Sequence, residues 1–173
     1  GAVVPLEKEL TFGGNGGLLL SATKGDESGY WLIVLDNAAG QSDDLNITIY
    51  SVNEDGIEEH SSFSQYYLWA GWNSELDDAA ISNDCSKIAA SFKGHYFALF
   101  RFDADEGLVF DPLSGSVNNN GSFVDVTELE FSPNSEILYS VSNYNTLGQY
   151  QIESWNPNTI SSTANTININ SNL

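Results

Sequence analysis

An internal repeat of about fifty residues constrains this chain more than any other feature. Tyr50-Ser51-Val52-Asn53-Glu54-Asp55-Gly56-Ile57 aligns with Phe100-Arg101-Phe102-Asp103-Ala104-Asp105-Glu106-Gly107-Leu108, and then with Glu153-Ser154-Trp155-Asn156-Pro157-Asn158-Thr159-Ile160. Each is an apolar run ending in Asp or Asn, a short polar turn, and an apolar residue that starts a return strand. Asn53, Asp103 and Asn156 stand 50 and 53 residues apart. A second register agrees: Ala80–Asp84 with Lys87–Ala89 matches Glu130–Asn134 with Ile137–Tyr139 at an offset of 50. Two registers sharing one period indicate a repeated unit.

The content of that unit is strand. Short runs rich in Tyr, Phe, Val, Ile and Leu are separated by Gly, Asn, Asp and Ser, with no sustained helical periodicity. Glycines in Asp55-Gly56, Lys93-Gly94 and Glu106-Gly107 supply the backbone freedom of tight hairpins. Ser132-Pro133-Asn134 reads as a type I turn. Four short strands per fifty residues predict a propeller blade. The fold class is therefore all-β, a partial β-propeller of three four-stranded antiparallel blades. The single domain, 1–173, divides into blades at about 17–64, 78–113 and 126–164. The third blade is read as Val126–Ser132, Ile137–Ser142, Gln149–Trp155 and Thr159–Ala164, with Trp31 and Trp155 mid-strand in the core. Propellers close with about four to eight blades. Three blades therefore call for the remaining blades of a larger ring, or for other copies of the chain. The start at Gly1 and the absence of Met fit a processed or excised piece.

Composition removes several function classes. A net charge of −19 repels nucleic-acid phosphates and anionic lipid. No apolar run is long enough for a membrane span. The single Cys85 forms no internal disulfide and sits among acids, a poor setting for a nucleophilic thiol. His60 and His95 are isolated, so no zinc spacing arises. No nucleophile elbow or phosphate loop is present. The expectation is a chain that is not an enzyme.

Two clusters merit attention. Tyr66, Tyr67, Trp69 and Trp72 lie between the first and second blades beside Asn73, Glu75 and Asp77. Aromatics flanked by acids and amides suit sugar stacking, although inter-blade packing uses the same residues. Asp103, Asp105 and Asp111 offer oxygen ligands for Ca²⁺. They do not make an EF-hand, because Ser114 stands where its last bidentate acid belongs. Asp43-Asp44 and Asp77-Asp78 read as surface charge.

Several segments resemble one family. They are Gly29–Ile33, Ser82–Ala89, Ala98–Val109 and Glu130–Tyr139. Together they are similar to the WD40-like propellers of large secreted cell-surface proteins of Bacteroidota, of the gliding-motility-associated or type IX secretion cargo type. Two turns depart from the pattern: Asn83 replaces a Pro, and Asn134-Ser135 stands where that family has Asp-Gly. The resemblance implies an extracellular or cell-surface binding or adhesion scaffold with protein or glycan ligands and no catalytic residues. The alternatives are a glycan-binding or glycan-processing propeller, and a structural surface subunit that self-assembles through its open strand edges.

Overall fold

The computed structural model describes residues 18–24, 29–37, 44–66, 76–92, 97–113, 126–142 and 146–168. They form three four-stranded antiparallel sheets. The first holds β1 (Leu18–Thr23), β2 (Tyr30–Asn37), β3 (Asp44–Asn53) and β4 (Gly56–Tyr66). The second holds β5 (Leu76–Ile81), β6 (Lys87–Phe92), β7 (Phe97–Asp103) and β8 (Leu108–Phe110). The third holds β9 (Val126–Phe131), β10 (Ile137–Ser142), β11 (Thr146–Gln151) and β12 (Asn165–Asn168), with a six-residue helix α1 (Pro157–Ser162) before the last strand. In every sheet the strands meander in chain order. β1, β5 and β9 lie side by side along one edge of the molecule, which is the channel side of a propeller.

The strands alternate because each sheet has two faces. In the first blade Trp31, Ile33, Leu35, Ile47 and Ile49 are all buried toward the second blade. The middle blade is covered on both faces, and its sequence changes accordingly. β6 is buried at five consecutive positions, Ile88 to Phe92, and β7 at Phe97–Phe100. A strand buried on both faces reads as a continuous apolar run rather than an alternation. Ile88, Phe100 and Phe102 pack toward the first blade, and Ala89, Phe97 and Leu99 toward the third. The third blade alternates in and out along β9 and β10, so only its inner face is covered.

The fifty-residue register is physical. Asn53, Asp103 and Asn156 each turn the chain with a side-chain oxygen that accepts backbone N–H groups two or three residues on. Ser82 and Ser132 do the same one register over. Each hydroxyl accepts the N–H five residues ahead, at 2.9 Å from Lys87 and 3.0 Å from Ile137. Gly56 and Gly107 take positive φ, as the hairpin reading requires.

The third blade corrects the sequence reading in two places. Its fourth strand is not Thr159–Ala164 but β12, and Thr159 to Ser162 belong to α1. Asn156 is the helix N-cap and Pro157 begins the first turn, a start signal that was in the sequence. Trp155 is not mid-strand either, since β11 ends at Gln151. The strand register keeps the offset of 50: the Phe102 and Ile152 amides donate to the carbonyls of Ser86 and Glu136. The three extra residues of the 53-residue spacing fall in the Glu153–Trp155 link.

Candidate functional site

The described residues line an open cavity of about 490 Å³ at the channel side, where β1, β5 and β9 converge. Leu20 comes from β1, Asp78 to Ile81 from β5, Glu128 to Glu130 from β9, and Tyr139 and Val141 from β10. Alternation along β9 sends Leu129 into the core and leaves Glu128 and Glu130 exposed. Tyr139 and Val141 pair across the strand with Glu130 and Glu128, so all four lie on one face.

Asp78 has a second task. Its Oδ2 accepts the backbone N–H of Leu129 at 2.6 Å, joining the innermost strands of two blades. Its own N–H donates to Ser91 Oγ at 3.0 Å, beside a bulge in β5. A half-buried carboxylate that bridges blades differs from the surface charge that Asp77-Asp78 suggested. No local pattern announces it, because the partner amide lies 51 residues away.

The cavity therefore presents three carboxylates and one phenol over an alanine and leucine floor, and none of its lining residues is basic. Carboxylates accept hydrogen bonds from hydroxyl groups, the phenol donates one, and the apolar floor suits the C–H face of a ring.

The residues singled out from sequence lie elsewhere. Tyr66 closes β4 opposite Asp44, at the outer edge of the first blade. Tyr67, Trp69 and Trp72 fall outside the described residues. The Asp103 carboxylate caps its own turn through the N–H groups of Asp105 and Glu106. Asp111, at positive φ, pairs instead with Arg101 at 3.5 Å. Among the described residues no group of three or more His, Cys, Asp or Glu is placed to hold a metal ion. Cys85 is half-buried in the β5–β6 turn, at positive φ.

No protein-family model matches the chain, and no curated protein matches it in sequence. Solved structures do match its shape. One is a Bacteroides fragilis protein named provisionally as a 6-phosphogluconolactonase, with a TM-score of 0.55 at 12% identity over 87% of this chain and 37% of that one. The periplasmic gluconolactonase of Pseudomonas aeruginosa gives 0.55 at 12% identity over 86% and 39%. KlAtg21, solved in complex with the coiled coil of AgAtg16, gives 0.52 at 14% identity over 83% and 42%. The fold is β-propeller-like. The chain spans about two fifths of the length of these structures.

These matches also correct the expectation that the chain is not an enzyme, because two of the three propeller-like structures carry lactonase names. The expectation rested on absent motifs. A propeller assembles its sites from innermost strands about fifty residues apart, so a contiguous motif is the wrong signal to seek. In KlAtg21 a chain of this shape is seen with a protein partner. Among the described residues no helix is long and apolar enough to cross a membrane.

Proposed function

We propose that this propeller arc binds a neutral, polyhydroxylated ligand of the sugar or sugar-lactone class in the channel-side cavity and, with a lactone, opens the ring. The supporting observation is the convergence of Asp78, Glu128, Glu130 and Tyr139 on one cavity from two blades. A carboxylate on β9 takes a proton from water as the water oxygen bonds to the lactone carbonyl carbon. The ring C–O bond then breaks, and the proton passes to the departing ring oxygen. Tyr139 supplies a neutral donor to the carbonyl. The charge sets the specificity: three carboxylates without a cation repel a phosphorylated lactone and release the anionic acid that ring opening makes.

Calorimetry and acid-release assays with glucono-lactone and its 6-phosphate test the reading. We expect millimolar or tighter binding of the neutral compound only, and at least about tenfold loss in Glu130→Gln. Absence of both heat and turnover with the neutral lactone, or preference for the phosphate, overturns it.

A second reading concerns where the arc works. The turns at Ser82–Lys87 and Ser132–Ile137 share one hydrogen-bond pattern at the 50-residue offset, and they carry the resemblance to secreted Bacteroidota propellers of the type IX or gliding-motility class. This supports a ligand-binding or adhesion segment at the cell surface, facing a glycan or protein. The native protein then fractionates with the cell surface or medium, and a purely cytoplasmic distribution removes the idea.

A further inference from the structure

Two bulges, at one place in the repeat, precede acids of the cavity. In β5 the ladder runs from Leu76 opposite Phe92 to Asp78 opposite Ser91, which leaves Asp77 outside it. In β9 it runs from Val126 opposite Ser142 to Glu128 opposite Val141, which leaves Thr127 outside. Asp77 and Thr127 stand 50 residues apart. A bulge re-aims the side chains beside it, and the residues that follow these two are Asp78 and Glu128, both in the cavity wall.

Each bulge is fastened by one hydroxyl, but from opposite strands. Ser91 is the polar member of the buried run Ile88–Phe92 and is itself fully buried. Its Oγ accepts the Asp78 N–H at 3.0 Å and donates to the Asp78 carbonyl at 3.3 Å. In the third blade Val141 stands at that position without a hydroxyl, and Thr127 Oγ1 donates instead to the Val141 carbonyl at 3.3 Å. The Ser91 contact reaches further. β5 and β9 are end strands of the described sheets, so each has an edge without a ladder partner. Across those edges the Asp78 carboxylate accepts the Leu129 N–H, and Glu128 and Glu130 flank Leu129 in the chain. Ser91 itself is not among the residues that line the cavity.

We propose that Ser91 is a positioning residue. It touches no ligand, but through Asp78 and Leu129 it holds the stretch of β9 that carries Glu128 and Glu130. Its effect on turnover rests on the reading of the cavity as a lactone site, whereas its hold on β9 does not.

Two measurements on the whole chain separate these. The first needs no ligand: amide hydrogen exchange of Leu129 by NMR, with Ile49 of the first blade as reference. Ser91→Ala speeds Leu129 exchange at least about tenfold and leaves Ile49 within about twofold. An unchanged Leu129, or an equal rise at both amides, overturns the proposal whatever the cavity binds. The second is the opening of glucono-lactone. Ser91→Ala lowers kcat at least about tenfold with KM within about twofold, and Ser91→Thr, which keeps the hydroxyl, recovers most of the loss. A native chain that opens the lactone and a Ser91→Ala chain that matches it overturn the positioning role and leave the reading of the cavity standing. A native chain that neither binds nor opens the lactone overturns that reading, and the hold of Ser91 on β9 then stands or falls on the exchange measurement.

Discussion

The seam between the first and second blades is fastened by one tryptophan, and the seam between the second and third by a set of small polar contacts. In the first, the Trp31 indole N–H donates to the Ala104 carbonyl at 2.7 Å. Its ring lies against His60 at 4.7 Å between centroids and beneath the Lys24 ammonium at 4.4 Å. His60 and Ser61 donate to the carbonyls of Glu106 and Gly107 at 2.8 and 2.7 Å. In the second seam, two equivalent turns touch each other. Asn83 Nδ2 donates to the Pro133 carbonyl at 3.3 Å, and the Asp84 amide to Ser135 Oγ at 3.1 Å. The Asp78–Leu129 bond and the Phe97–Tyr150 edge contact lie deeper. One architecture is thus held by concentrated contacts at one seam and distributed contacts at the other.

The concentrated seam is the more fragile, and the largest effect is expected there. Trp31 is 4% exposed. Removing a buried aromatic costs about 3–5 kcal/mol, so Trp31→Ala loses that much in denaturant melts. Gly107→Ala attacks the same contact from the other side. It sits at φ +65, where an added Cβ lands 2.6 Å from the Trp31 ring. We expect a loss of about 2–4 kcal/mol from left-handed strain and overpacking together. Trp31→Ala and Gly107→Ala combined fall well short of the sum of the two, because both act on one contact. Full additivity sinks the account of this seam.

The strands and blades were legible in sequence because period and turn chemistry are local. Ser82 and Ser132, or Gly56 and Gly107, can be found by comparing the chain with itself. The cavity was not legible, because its parts gain meaning only when β5 and β9 lie together. Asp78 looks like any surface acid until the Leu129 amide appears beside it. The middle blade's alanines are an intermediate case. Ala89 and Ala90 are small because sheets pack on both sides of β6, and their signal is a continuous apolar run. In the third blade the extra Glu153–Trp155 segment hid the strand end, because an alignment on Asn156 moves the insertion into the strand. The insertion is used: Trp155 donates to the Asp111 carbonyl at 2.9 Å and stacks beneath Arg101.

The distributed seam has one contact large enough to probe alone. Asp78→Ala leaves the N–H of buried Leu129 without its acceptor, and an orphaned buried donor costs about 1–3 kcal/mol. Asp78→Asn keeps an acceptor oxygen and loses less. Combined with Trp31→Ala, the Asp78→Ala loss adds within about 0.5 kcal/mol if the seams are independent. A strong coupling between them means that disturbing one seam shifts the packing of the other, and the contrast between seams then loses its energetic meaning.

The smallest effect separates two turns within the same seam. Asp84 and Asn134 occupy equivalent places, accepting from Ser82 and Ser132, but only Asp84 titrates. Partial burial pushes its pKa up. Hydrogen bonds from the Ser82 and Ser86 hydroxyls and the Ser86 amide, with the Lys87 charge, outweigh that push and hold it well below the usual carboxylate range. A depressed carboxylate stabilises the fold above its unfolded value of about 4, and that stability is lost as pH falls through the folded value. Half of the Asp84 side chain is exposed, so solvent screening keeps the effect near 1 kcal/mol or less. Asp84→Asn should be slightly less stable than the native chain at pH 7 and should converge on it below pH 4. Asn134→Asp should not acquire the same dependence, because the counterparts of Ser86 and Lys87 are Glu136 and Ile137, and the Glu136 carboxylate beside residue 134 repels a second negative charge. Parallel stability curves from pH 7 to pH 3 for Asp84→Asn and the native chain would show that the turn draws nothing from ionisation, leaving the distributed seam held by geometry alone.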